Sequence, residues 1–258
     1  MKQKLITFIH FWLLAARCCI FALAFFALLG LSQIWPSEWL PRYDFIFIGA
    51  LLIQFVLWKS KFETGEEVLG LCLFHLAGFA LEVFKVHPSI ASWSYPEVGY
   101  SKFLGVPLYS GFMYAAVASS MYQARRVFKL RLTDAPPKWV CLITGVTLFT
   151  NFFTHHLTYD WRWILLFASA ILFARAQITI SFKSTTIKKA LPLFFVFFGI
   201  LVWVAENIST LLGAWKYPDQ VHTWTMVSLS KIVSWTILAI FCFVLTHSLI
   251  REKETIDP

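Results

Sequence analysis

Long apolar runs occupy most of the chain and are interrupted at short intervals by clusters of charged or aromatic residues. The runs are continuous instead of alternating and are too long for strands, the pattern of helices solvated by lipid or buried on most sides. They predict helices near 7–31, 43–58, 67–86, 105–124, 139–156, 161–181, 190–210 and 225–249. Most approach the ~20 residues needed to cross a hydrocarbon core, and the second is short. The expected fold is all-α: a polytopic membrane helix bundle of about eight transmembrane helices, in a single integral membrane domain over 1–258.

Composition supports lipid as solvent and partner. Of 258 residues, 59% are hydrophobic and only 14% are charged, too few to cover a water-facing surface. The net charge of +8 does not point to nucleic acid, because the basic residues sit in short clusters between apolar runs. Threading the helices with the amino terminus inside gathers Lys2, Lys4, Lys59, Lys61, the basic residues of Arg125 to Lys138, Lys183, Lys188, Lys189, Arg251 and Lys253 on one face. Those fourteen face five on the other side: Arg42, Lys85, Lys102, Arg162 and Lys216. Such an excess marks the cytoplasmic face, so both termini are expected in the cytoplasm and the chain in the bacterial plasma (inner) membrane. The basic start at Lys2 and Lys4 resembles a secretory signal. The apolar run behind it is too long and lacks a small-residue cleavage site, so it is read as the first helix. Cys18, Cys19, Cys72, Cys141 and Cys242 all lie inside apolar runs without metal-ligand spacing and read as core residues.

The chain also repeats itself. Glu82 is followed by Ser92-Trp93-Ser94-Tyr95-Pro96-Glu97, and Glu206 by Ala214-Trp215-Lys216-Tyr217-Pro218-Asp219. Lys59-Ser60 precedes Glu82 by the interval at which Lys183-Ser184 precedes Glu206, and Tyr43-Asp44 is matched by Tyr159-Asp160. A chance second Trp-x-Tyr-Pro-acid has a likelihood on the order of one in a thousand. Two parallel four-helix repeats are expected, about 1–131 and about 132–258, related by an axis along the membrane normal.

From Glu82 through Trp93-Ser94-Tyr95-Pro96-Glu97 to Gly105-Val106-Pro107-Leu108-Tyr109-Ser110-Gly111-Phe112-Met113-Tyr114, the chain resembles a bacterial membrane family, domain-of-unknown-function 817, over nearly its whole length. That resemblance implies a membrane protein and brings no activity. The chain is also faintly similar to the membrane lycopene cyclase domains, which pair two units bearing an acid, a Trp-x-aromatic step and Gly-x-x-Pro. In the cyclases adjacent glutamates follow that proline. Here Leu108-Tyr109-Ser110 follows Pro107, and the second copy, Val221-His222-Thr223-Trp224, has no proline. The likeness therefore implies a similar fold and isoprenoid chemistry, not the cyclase reaction.

Glu82 and Glu206 are the candidate catalytic residues. Each ends an apolar helix, where the dipole disfavours an anion, and acids at such depth face a bundle interior. The structural alternative is an ion pair, Glu82 with Lys85 and Glu206 with Lys231. Asp44 and Asp160 stand at helix starts, where aspartate caps free amides, yet both could join the glutamates in a ring of carboxylates. Trp93, Tyr95, Trp215 and Tyr217 fit an interfacial belt or, alternatively, a wall that binds a cation or polyene. His87, His155, His156 and His222 project toward the outer face. The chain has no His-x-x-His-His or His-Glu-x-x-His pattern, so no metal ligands are assigned and the cofactor stays open. His75 reads as a hydrogen-bonded core residue, and Arg17 as a mid-depth cation needing a partner.

Two functions remain open. The first is a lipid-embedded enzyme acting on an isoprenoid or other apolar substrate, with a glutamic acid as proton donor and aromatic faces steadying positive charge. The second is a small-solute or ion transporter with its carboxylate site at the repeat interface. Oligomeric state is not encoded in any pattern found.

Overall fold

The computed structural model describes residues 2–182 and 185–249. Lys183, Ser184, Arg251 and Lys253, used above for repeat spacing and charge, lie outside the described residues.

The chain begins with α1 (Lys2–Cys18) and α2 (Ile20–Leu31), which correspond to the single predicted helix over 7–31. The two axes differ by 70° at Cys19, with no proline or glycine at the break. The cause is tertiary. Phe11 of α1 packs on Phe128 and Phe182, with ring centroids 5.1 and 6.1 Å away, and this docking draws α1 off the axis of α2. Arg17, expected at mid-depth, is exposed at the end of α1.

Then follow α3 (Arg42–Lys59) and α4 (Gly65–Val86). The start of α4 is set by a capping box. Thr64 Oγ1 accepts from the Glu67 amide at 3.2 Å, and Glu67 Oε2 accepts from the Thr64 amide at 2.8 Å, satisfying two free donors. A short hairpin, β1 (Lys102–Phe103) and β2 (Val106–Pro107), turns through Leu104 and Gly105, both at positive φ, which suits a primed two-residue turn. The helix predicted from 105 therefore starts later, as α5 (Ser110–Val127).

The second part of the chain runs through β3 (Arg131–Thr133), α6 (Lys138–Thr154), α7 (Arg162–Leu172), β4 (Gln177–Phe182), β5 (Thr185–Ala190), α8 (Leu191–Leu211) and α9 (Lys231–Leu249). The helix predicted over 161–181 stops at Leu172, and the one predicted from 225 begins at Lys231. Gln177-Ile178-Thr179-Ile180-Ser181-Phe182 is rich in β-branched residues and forms the middle strand of an antiparallel sheet in the order β3-β4-β5. The described residues are thus mostly helical, with two small sheets where an all-α fold was expected.

By length and composition α4 and α8 could each cross a membrane, and the bent α1–α2 pair makes a third if counted as one span. Much of the outer surface is apolar. Leu52 and Val56 on α3, Ile143 and Val146 on α6, Phe167 and Ile171 on α7, and Leu193 and Phe197 on α8 are all exposed. Inside, one core joins both parts of the chain, and a smaller cluster of Cys18, Ala124, Phe128 and Phe182 holds α1 to the end of α5 and to β4.

Candidate functional site

Two helix pairs with close approaches form the centre. On α4, Gly78 lies against the Tyr114 ring of α5. On α8, Gly199 lies against the backbone and hydroxyl of Thr236 on α9. A side chain at either glycine would separate its pair. One turn beyond Gly78 stands Glu82, and two turns beyond Gly199 stands Glu206, each only 3% exposed.

The Trp-x-Tyr-Pro segments fold back over these acids. Glu82 accepts from Trp93 Nε1 at 2.6 Å, Tyr95 Oη at 2.8 Å and Tyr114 Oη at 2.7 Å. Glu206 accepts from Tyr217 Oη at 2.5 Å and Trp235 Nε1 at 2.6 Å. Buried carboxyl groups must be met by donors, and indole and phenol groups supply them without adding charge. The two segments also meet each other. Ser94 donates its amide to Lys216 O at 2.9 Å and Lys216 donates its own to Ser94 O at 3.0 Å, an antiparallel bridge between the central residues of the two motifs.

Trp93, Tyr95, Trp215 and Tyr217 are all buried, facing inward instead of forming a surface belt. The alternative ion pairs are not direct contacts: Lys85 and Lys231 attract Glu82 and Glu206 through space, while their near neighbours are other groups. Lys85 Nζ lies 2.6 Å from His156 Nε2 and 3.3 Å from His155 Nε2, while Lys231 Nζ sits 4.6 Å from the Tyr217 ring centroid and 5.6 Å from that of Trp93. Asp44 does not cap its own helix. Its two oxygens accept the amides of Tyr100 and Ser101 at 2.8 and 2.6 Å, pinning the loop before the hairpin. Asp160 accepts the Arg162 amide at 3.1 Å and its guanidinium at 2.7–3.0 Å. Hydrogen bonds from Arg162 hold the Asp160 carboxyl down at about 2. His75 packs on Phe112, and its Nδ1 lacks the hydrogen bond expected of it. Among the described residues no group of three His, Cys, Asp or Glu could hold a metal ion.

Both glutamates line one cavity of about 240 Å³ between α2, α5, α8 and α9. Its wall is otherwise mainly apolar, with Phe25, Phe26, Val117, Phe198, Val202 and Leu238 among the lining residues, and it reaches Cys19 and Ser120 away from the acids. Leu23 on α2 and Leu201, Val204 and Ile208 on α8 line it and are also exposed, so the cavity opens sideways between these helices. Of the residues singled out from sequence, Glu82, Glu206, Trp93, Trp215 and Tyr217 line this cavity. Tyr95 stands behind Glu82, and Asp44 and Asp160 lie elsewhere.

Tyr114 and Trp235 were not singled out. Each is the fifth residue of its helix, α5 or α9, and each follows its glutamate at a similar interval, 32 and 29 residues.

A second, polar pocket of about 410 Å³ lies on the other side of Trp93, Tyr114 and Trp235, lined by Lys85, His155, His156, Asp160, Arg162, Lys231 and Ser234.

The family described as "Protein of unknown function (DUF817)" matches residues 7–243. The chain is 44% identical over 246 residues to "Uncharacterized protein YoaT" of Bacillus subtilis (strain 168), covering 95% of this chain and 92% of that one. No solved structure matches.

Proposed function

The chain belongs to the DUF817 family, and we propose that it is a multi-pass protein of the bacterial plasma membrane whose Glu82 and Glu206 perform proton-transfer chemistry on an isoprenoid or other apolar substrate. The observation that carries this reading is the pair of buried carboxyl groups, each held by indole and phenol donors, on the wall of a largely apolar cavity that opens sideways. An aqueous solute has no need of such an opening; a hydrocarbon dissolved in the bilayer does.

In this reading α2 to α9 are eight spans, with α1 along the inner surface and both termini cytoplasmic. The exposed apolar side chains of α3, α6, α7 and α8 support it, since a water-facing surface rarely carries so much contiguous hydrocarbon. The two halves are parallel repeats. The matched Glu, Trp-x-Tyr-Pro and aromatic donor in each, and the bridge joining Ser94 to Lys216 across the axis, support that arrangement.

The chemistry is redox-neutral. One carboxyl group gives its proton to a carbon–carbon double bond, leaving a carbocation. The other carboxylate removes a proton from a neighbouring carbon, and the double bond re-forms in a new position or ring. Trp93, Trp215 and Tyr217 offer aromatic faces to the cationic intermediate.

The test is native mass spectrometry of the detergent-purified protein, with extraction of retained molecules, beside Glu82→Gln/Glu206→Gln and the cavity-filling Ala205→Phe. The expected result is an apolar molecule in the wild type, an isomer of it in the double glutamine variant, and none when the cavity is filled. Equally folded proteins that retain nothing would overturn the reading. A transporter with the carboxylates as a cation site is the second reading, favoured by their place where the halves meet; stabilisation by sodium, lost in the double variant, would support it.

A further inference from the structure

The pocket beyond Trp93 and Tyr114 has a different character from the apolar cavity, and the proton chemistry proposed above does not use it. Four helix ends meet there: α4 and α6 finish, α7 and α9 begin. Dipoles of both signs therefore converge, and the side-chain charges decide the field. Those charges are Lys85, Arg162 and Lys231 against the single carboxylate of Asp160 on the wall. Asp160 is committed to Arg162, at 2.7 Å. Lys85 is 4% exposed, and its Nζ meets two imidazole nitrogens as hydrogen-bond partners among the described residues, with the Phe84 ring centroid 6.0 Å away. His155 Nδ1 lies 2.8 Å from Asn151 O, so that nitrogen carries the proton and Nε2 is left to accept from the ammonium. Neutral imidazoles orient the lysine without neutralising it. Lys231 rests on the rings of Tyr217 and Trp93. Glu82 and Glu206 attract Lys85 and Lys231 through space, but no salt bridge joins either lysine to a carboxylate among the described residues, so an anion from outside would give these buried cations the direct partner they lack.

The pocket is also built for access and shape. Asp160 and Arg162 have side chains 38% and 29% exposed and stand at its mouth, with Lys85 on the floor. Arg162 keeps Nη1 on Ser234 Oγ at 3.0 Å, on the same wall. Lys85, Lys231, Arg162, Ser92 and Ser234 together offer many donors around one volume of about 410 Å³, within the usual range for ligand sites. Charge-assisted donors from several directions suit a tetrahedral oxyanion with several acceptor oxygens.

We infer that this pocket binds a phosphate-class anion, either free or as the headgroup of a lipid, with Lys85, Arg162 and Lys231 as its cationic contacts. The inference does not rest on the carboxylate chemistry and survives if that fails.

The experiment measures the melting temperature of the whole purified protein in inorganic phosphate against chloride at matched ionic strength, and in micelles doped with phosphatidic acid against phosphatidylcholine. Variants are Lys85→Met, which keeps the stem and removes the charge, and Lys231→Gln. Binding raises the melting point of the wild type by mass action. A rise with inorganic phosphate identifies a free anion as sufficient, and a rise only with phosphatidic acid identifies the headgroup. In either case apparent affinity should fall about tenfold or more in both variants. A wild type equally stable in all four conditions, or a Lys85→Met protein that still responds fully, overturns the inference.

Discussion

Arg42 and Arg162 each open a helix, and their surroundings are resolved in opposite ways. Each is the first residue of its helix, α3 or α7. Arg42 is buried and its guanidinium is consumed by the protein: Ser32 Oγ at 2.9 Å, Leu212 O at 2.5 Å, Gly213 O at 3.1 Å and Glu97 at 2.5 Å. The site is plugged further by Tyr109, whose hydroxyl donates to Ala214 O, and by the loop that Asp44 pins. At the start of α7 Arg162 turns back on Asp160, and a pocket remains with Lys85 on its floor. Lys85 is three residues past Glu82; the residue three past Glu206 is Ser209, which brings no charge. One helix start is spent on holding the halves together, and the other is left able to receive something.

That contrast is breakable by substitution. The largest expected effect is Arg42→Ala, which takes the donor from Gly213 O and one of two partners from Leu212 O and from Ser32 Oγ, and should cost about 3 kcal/mol, at the lower end for a buried pair because Glu97 still reaches water. Arg162→Ala should cost under about 1 kcal/mol. Denaturation of the two variants side by side checks this, and equal losses would remove the distinction. Next comes Gly199→Ala, whose new methyl meets the backbone nitrogen and Cα of Thr236. It should cost about 1–3 kcal/mol, whereas Gly30→Ala on α2 meets nothing and should be neutral or better.

A smaller effect separates the two acids. Glu82 has three donors and Glu206 two, so Trp235→Phe, which leaves Glu206 with one, should destabilise more than Tyr114→Phe, each by about 1–3 kcal/mol. The reverse order in thermal melts would show that donor number does not govern these sites. The smallest effect is electrostatic. Because Asp160 ionises at about 2 in the folded chain, its contribution is complete above the ordinary carboxylate value of 3.8 and is lost as pH falls toward 2. The wild type should therefore lose slightly more melting temperature between pH 4 and pH 2 than Asp160→Asn.

The glutamates, the Trp-x-Tyr-Pro segments and most helix positions were legible because they rest on local signals: long apolar runs and a motif written twice. What escaped depends on partners distant in sequence. The bend at Cys19 comes from Phe11 docking on Phe128 and Phe182, and no residue at the break announces it. The apolar stretch after Leu172 was read as helix because composition alone does not separate a short strand from a buried helical turn, and β4 is held by pairing to β3 and β5. Lys85 was read with Glu82, its neighbour on the helix; its contacts are with His155 and His156, some seventy residues away.

The bridge between Ser94 and Lys216 has a consequence for ligand occupancy under the proposed reading. With the motif loops strapped together over the acids, a hydrocarbon ligand comes and goes between α2 and α8, within the plane of the bilayer. Its effective concentration is then a mole fraction among lipids, and not a molarity. Diluting the protein's vesicles in buffer should leave occupancy unchanged, while fusing them with inert lipid should lower it in proportion.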